Sequence, residues 1–164
     1  MELSQVKDQL SIWLQDFVEK PHPALGNWAP CPFARSARIN NQIEIIFSNA
    51  KDLYTDAIDN LPLLDHKEVV IICFDHNMID PVTLQETVGY INQRLMPVNY
   101  VALEDHPGAP EYINGVQMNF GICGLLLVQK LDKLNTASTQ LKEKGYYTHW
   151  NQKAMNDVVN WRNQ

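Results

Sequence analysis

Three places along the chain gather side chains able to do chemistry. The first is KPHPALGNWAPCPFARSAR, Lys20 to Arg38, in which Cys31 stands between Pro30 and Pro32 and is followed by Arg35 and Arg38. Two prolines fix φ on either side of the thiol and remove two backbone donors, so the segment is stiff. Pro32 suits the first position of a short helix, which puts Cys31 at or near its N-cap. The positive end of the backbone dipole and the two guanidinium groups then favour the thiolate. Arg35, Ser36 and Arg38 on the first turns of that helix also suit a bound carboxylate or phosphate. The second and third places are Asp75-His76 and Glu104-Asp105-His106. Each sets an imidazole beside carboxylates that can orient the ring or raise its basicity.

These groups define a candidate site with Cys31, His76 and His106 as catalytic residues: a histidine as acid or base, the cysteine as nucleophile or wall. Arg35, Arg38, Asp75, Asn114 and Asn119 are the candidate substrate-binding residues. Asn114, Gln117 and Asn119 lie in YINGVQMNFG, Tyr112 to Gly121, where amides can read a polar ligand or close a turn, Asn114-Gly115 being a strong turn signal. Zinc or iron held by His22, His76, His106 and neighbouring carboxylates is chemically reasonable, although no CxxC, HxH or HxxxH spacing marks such a site. Cofactor and metal are left open.

The elements that must position these residues follow from periodicity and breakers. Leu3, Val6, Leu10, Trp13, Leu14 and Phe17 predict an amphipathic helix that stops before Pro21-His22-Pro23. A strand is expected at Gln42–Phe47, then a helix capped by Ser48 or Asn49 and running to Leu61. Val69–Phe74 is apolar on both faces and reads as a central strand. Asp80-Pro81 opens the next helix, with Leu84, Val88, Ile91 and Leu95 on its core face. A strand near Tyr100–Leu103, a long loop from His106 to Gly121, a strand at Leu125–Val128 and a helix ending at Gly145 come next. An aromatic stretch, Tyr146 to Trp150, leads to a last helix carrying Met155, Val158, Val159 and Arg162.

Alternating strands and helices predict an α/β (or α+β) fold, one domain over residues 1–164, with a mixed four-stranded sheet and flanking helices. The direct loop between the third and fourth strands suggests an antiparallel edge strand; a ferredoxin-like arrangement is the alternative. Parallel order in the first three strands sends Asp75-His76 and Glu104-Asp105-His106 to one sheet edge, where open α/β sheets bind ligands.

Composition narrows the function classes. The 164 residues are 45% hydrophobic and 20% charged with a net charge of -6, which fits a globular protein and disfavours nucleic acid or an anionic membrane as partner. No apolar run reaches the ~20 residues of a spanning helix, and no secretory signal is visible at the N-terminus. Three cysteines without a CxxC pair fit a reduced, cytoplasmic protein.

Cys31-Pro-Phe-Ala34 together with the later His106-Pro107 resembles an uncharacterised bacterial family with a CPFA segment and a His-Pro loop. The resemblance implies that Cys31 and His106 belong to one site, and no more. The expectation is a small enzyme acting on a small anionic metabolite at the sheet edge. The alternative is a non-catalytic small-ligand-binding or assembly protein, with Trp13, Phe17, Trp150 and Trp161 leaving a homo-oligomer open.

Overall fold

The apolar stripe of the N-terminal segment folds as α1, Leu3–Trp13, with Val6 and Leu10 fully buried. The computed structural model describes residues 2–163. Past Trp13 the helix widens into one π-helical stretch, Leu14–Val18, that buries Leu14 and Val18 against Ala34. The proline-rich segment then turns back on itself, with His22 bridged to Trp28. The short helix α2 covers Ala34–Ile39 and starts two residues later than Pro32 suggests, because Pro32 and Phe33 form the turn that precedes it.

Strand β1 is Ile43–Ser48 and helix α3 is Leu53–Asn60. Its cap is Asp52, whose carboxylate accepts the Thr55 N–H, rather than Ser48 or Asn49. Ser48 is the last residue of β1, and Asn49 follows it into a bend at Ala50, which has φ +59°. Strand β2, Val69–Phe74, is followed by α4, Pro81–Leu95, capped by Asp80 through the N–H groups of Val82 and Thr83 as its Asp-Pro start predicts. Strand β3 is Tyr100–Asp105. The long loop carries a small hairpin, β4 Tyr112–Ile113 and β5 Val116–Gln117, turned by Asn114 and Gly115 with φ +48° and +79°. Strand β6, Gly124–Lys130, leads to α5, Leu131–Glu143, and α6, Gln152–Val158, is followed by a 3-10 turn at Asn160–Asn163.

The sheet order is β1-β2-β6-β3. β1 and β2 are parallel neighbours, and β6 runs antiparallel to both β2 and β3. Thus β1, β2 and β3 point one way, as expected, whereas the antiparallel strand lies inside the sheet and not at its edge. Burial explains the difference: Leu125, Leu126 and Val128 are all at most 1% exposed, and a strand so apolar on both faces needs a neighbour on each side. The ferredoxin-like alternative does not form, since β1 and β2 are joined by a crossover without a strand between them.

One face of the sheet, with Val70, Ile72, Phe74, Ala102, Leu126 and Val128, packs on Leu53 and Ala57 of α3 and Leu84, Val88, Ile91 and Leu95 of α4. Burying each such Leu, Ile or Phe is worth roughly 1.5–3 kcal/mol. The other face, with Ile71, Cys73 and Leu125, packs on Val6 and Leu10 of α1. Gly124 lies opposite Phe74, where any side chain would run into the Phe74 ring. At the free side of β3, Asn92 of α4 reaches in: its amide donates to the Ala102 carbonyl (2.9 Å) and accepts the Ala102 N–H (2.8 Å). No described helix is long and apolar enough to cross a membrane.

Candidate functional site

The carboxyl ends of β2 and β3 bring His76 and His106 together, their rings edge to face with centroids 5.9 Å apart. His106 is 6% exposed. Its Nε2 lies 3.1 Å from the His76 carbonyl and 2.9 Å from the Ile79 carbonyl, so it carries the proton and donates to both. Its Nδ1 accepts the N–H of Gly108 at 2.9 Å. Both ring nitrogens are thereby spent on holding the start of the loop against the end of β2. His76 is half-buried, and its ring makes no hydrogen bond to a described residue. Asp75 accepts the backbone and side-chain N–H of Asn77, which holds its carboxyl below the usual range.

Cys31 sits elsewhere. Its N–H donates to the Val18 carbonyl (3.0 Å), and the carbonyl of its neighbour Pro30 accepts the Tyr146 hydroxyl. Trp28, Tyr147 and Trp150 surround that anchor, Trp28 and Tyr147 edge to face with Tyr146, Trp150 edge to face with Tyr147 and tilted against Tyr146. As a residue Cys31 is exposed, yet its sulfur is desolvated, and this pushes the thiol pKa up. The Phe33 and Ala34 backbones pull it down without reversing the shift. Burial therefore works against the expected thiolate, and Cys31 stands three residues before α2, whose N-cap is Phe33, rather than at its N-cap. Cys31 should alkylate with iodoacetamide before the buried Cys73 and Cys123. At neutral pH it should be slower than the same thiol in an unfolded peptide, the gap closing in alkaline buffer. Mass mapping over time checks this, and a rate above the peptide's would restore the activated thiol.

Arg38 is not free to hold an anion. It grips Glu19 at two points, Nε to Oε1 at 2.5 Å and Nη2 to Oε2 at 3.0 Å, and the Glu19 side chain is only 6% exposed. That pair ties α2 to the end of the N-terminal helix, which is why a cation was needed at position 38. Arg35 is exposed and has no carboxylate within 4 Å among the described residues.

The two amides expected to read substrate read the chain instead. Asn114 donates to the Ala24 carbonyl at 2.7 Å. Asn119 donates to Asp105 (2.9 Å) and accepts the N–H of Glu111 (2.6 Å), pinning the long loop to the end of β3. Asp105 also accepts the Phe120 N–H at 3.0 Å. His22 accepts the Ala24 N–H through Nδ1. With His22 and His106 so engaged, the histidine metal site does not assemble. No group of three or more His, Cys, Asp or Glu stands ready for a metal among the described residues.

What the loop and α6 do form is an open cavity of about 280 Å³ lined by Glu111, Tyr112, Ile113, Lys153, Ala154 and Asp157, with Pro110, Asn151 and Val158 completing its wall; Ile113 and Ala154 are buried at its floor, and Glu111, Tyr112, Lys153 and Asp157 are exposed at its rim. Its charges are mostly negative. Desolvation pushes the Glu111 carboxyl up, and Asp105, Glu104 and Asp157 push it further by repulsion, against a weaker pull from Lys153. Glu104 is raised by desolvation and by Asp157. Asp105 is raised by desolvation in spite of its two hydrogen-bond donors. Lys153 already pairs with Asp157 at 2.5 Å. Glu111 and α6 lie some forty residues apart in sequence with no motif joining them, so only the folded chain reveals this site. Against family models, curated proteins and solved structures, the chain finds no match.

Proposed function

We propose that this protein is a small-ligand-binding protein whose ligand presents a cationic amine on a short apolar body, bound in the cavity between the long loop and α6. One observation carries the reading: Glu111 lines a concave site with Glu104 and Asp105 close behind, and the cation of its lining, Lys153, is already held by Asp157. Tyr112, Ile113 and Ala154 supply apolar wall for the body of such a ligand. A cation relieves the mutual repulsion of these carboxylates, whereas an anion adds to it. Glu111, Glu104 and Asp105 are pushed above their ordinary range, so binding strengthens as pH rises through that raised range and fades below it. In the free protein the sign is opposite. Their folded pKa values exceed the unfolded ones, so their contribution to stability is fullest below the ordinary carboxylate pKa and is lost as pH rises.

The test is calorimetric titration with 1,4-diaminobutane and, separately, with succinate. The diamine is expected to bind, and Glu111→Gln or Asp157→Asn to weaken it by about tenfold or more, the effect of losing one charge-assisted contact. Binding of succinate with none of the diamine overturns the reading. It would instead favour an enzyme acting on a small anionic metabolite at the sheet edge. That second reading is supported by the half-buried, unpaired ring of His76 beside Asp75 at the carboxyl end of β2, and requires succinate to shift the His76 ring signals in an NMR titration.

A further inference from the structure

Two cysteines play no part in that cavity. Cys73 lies on β2 opposite Leu125 of β6, and Cys123 comes two residues before Leu125. Alternation along the strand direction puts Cys123 on the same face as Cys73, as its diagonal neighbour. They share the apolar cluster under α1 and are 0% and 2% exposed. Both side chains lie in that one cluster, against Ile71 and Leu125 of the sheet. We propose that Cys73 and Cys123 are an oxidation-sensitive dithiol that hydrogen peroxide closes into an intrachain disulfide.

Their positions make closure feasible. Cys73 is held in a strand flanked on both sides, but Cys123 precedes Gly124, the first residue of β6, and follows a bend at Gly121 with φ +81°. Bringing the Cys123 sulfur onto Cys73 therefore moves backbone that no ladder pair of β6 holds. Cys73 lies within a strand flanked on both sides, whereas Cys123 stands where the long loop enters β6, so Cys123 is the thiol peroxide reaches first and Cys73 the resolving thiol. The Cys123 thiolate attacks one peroxide oxygen, the O–O bond breaks, and the departing hydroxide takes a proton to become water. The Cys123 sulfenic acid is then attacked by the Cys73 sulfur, which loses its proton as the S–S bond forms and a second water leaves. Two thiols lose two electrons, and one peroxide is reduced to two waters. The product staples the end of the long loop to β2.

The full chain carrying Cys31→Ser, which removes the exposed competitor, is treated with graded hydrogen peroxide and mapped by non-reducing peptide mass spectrometry. The expected result is a loss of about 2 Da in one cross-linked pair containing Cys73 and Cys123, reversed by dithiothreitol. Adding Cys73→Ala should abolish the cross-link and let Cys123 go on to sulfinic acid. The proposal is overturned if both thiols stay reduced at peroxide levels that oxidise Cys31 in the wild-type chain. It is equally overturned if Cys123 reaches sulfinic acid while Cys73 stays free. Should Cys73→Ala not fold, the map of the Cys31→Ser chain decides alone.

Discussion

Replacing His106 by alanine is expected to destabilise the protein by about 3–5 kcal/mol. The loss has two sources. The ring is 6% exposed and packed against His76, so its removal leaves a cavity. Two carbonyls, of His76 and Ile79, then lose their donor and the Gly108 N–H loses its acceptor. Each buried polar group left unpaired costs about 1–3 kcal/mol. The conservative variants separate these roles. His106→Asn places an oxygen near the position of Nδ1 and should recover the Gly108 bond. His106→Gln reaches toward the two carbonyls with an N–H. Both should fall between wild type and alanine in urea unfolding at unchanged slope. A histidine kept for proton transfer gives another pattern: alanine would leave the midpoint within about 0.5 kcal/mol, and His106 would return to the candidate catalytic residues.

Asn92 carries the second large effect. Asn92→Leu, which keeps the volume and discards the amide, is expected to cost about 2–4 kcal/mol because it strands both the N–H and the carbonyl of Ala102 in a buried setting. Asn92→Asp keeps the acceptor for the Ala102 N–H but faces the Ala102 carbonyl with a carboxylate oxygen, so it should be at least as costly at neutral pH. Chemical unfolding gives the energies, and backbone amide exchange at Ala102 gives the mechanism: protection there should fall in both variants. Unchanged protection at Ala102 would mean that the side chain serves packing alone.

Much of the fold was legible in local pattern. Val69–Phe74 announced a central strand by being apolar on both faces, Asp80-Pro81 announced a helix start, and Asn114-Gly115 announced a turn, each through chemistry confined to a few residues. The place of β6 was not, because a direct loop from β3 is compatible with pairing at an edge or in the interior, and only burial on both faces decides. The candidate site was legible in part. Sequence order brought His76 and His106 to one edge. It could not tell that His106 meets two carbonyls and an N–H, which belong to residues that are neighbours only in the folded chain. Arg38 looked like an anion ligand for the same reason: Glu19 stands nineteen positions upstream. The polar Asn92 beside the apolar stripe of Leu84, Val88, Ile91 and Leu95 is the sequence signal of a buried clasp on α4.

The placement of β6 between β2 and β3 also sets an order of assembly. β3 is synthesised before β6 yet has no strand partner until β6 arrives, since β2 and β3 stand two strand spacings apart, close to 10 Å. The free edge of β3 is covered by α4 through the Asn92 clasp on Ala102. The sheet is therefore continuous only once residues 124–130 have paired with both β2 and β3, and β6 is tethered to β3 by a loop whose length is already shortened by the Asp105–Asn119 and His106–Gly108 bonds. Folding speed, and the time for which two apolar strand edges stay open to other chains, should depend more on that loop than on any helix.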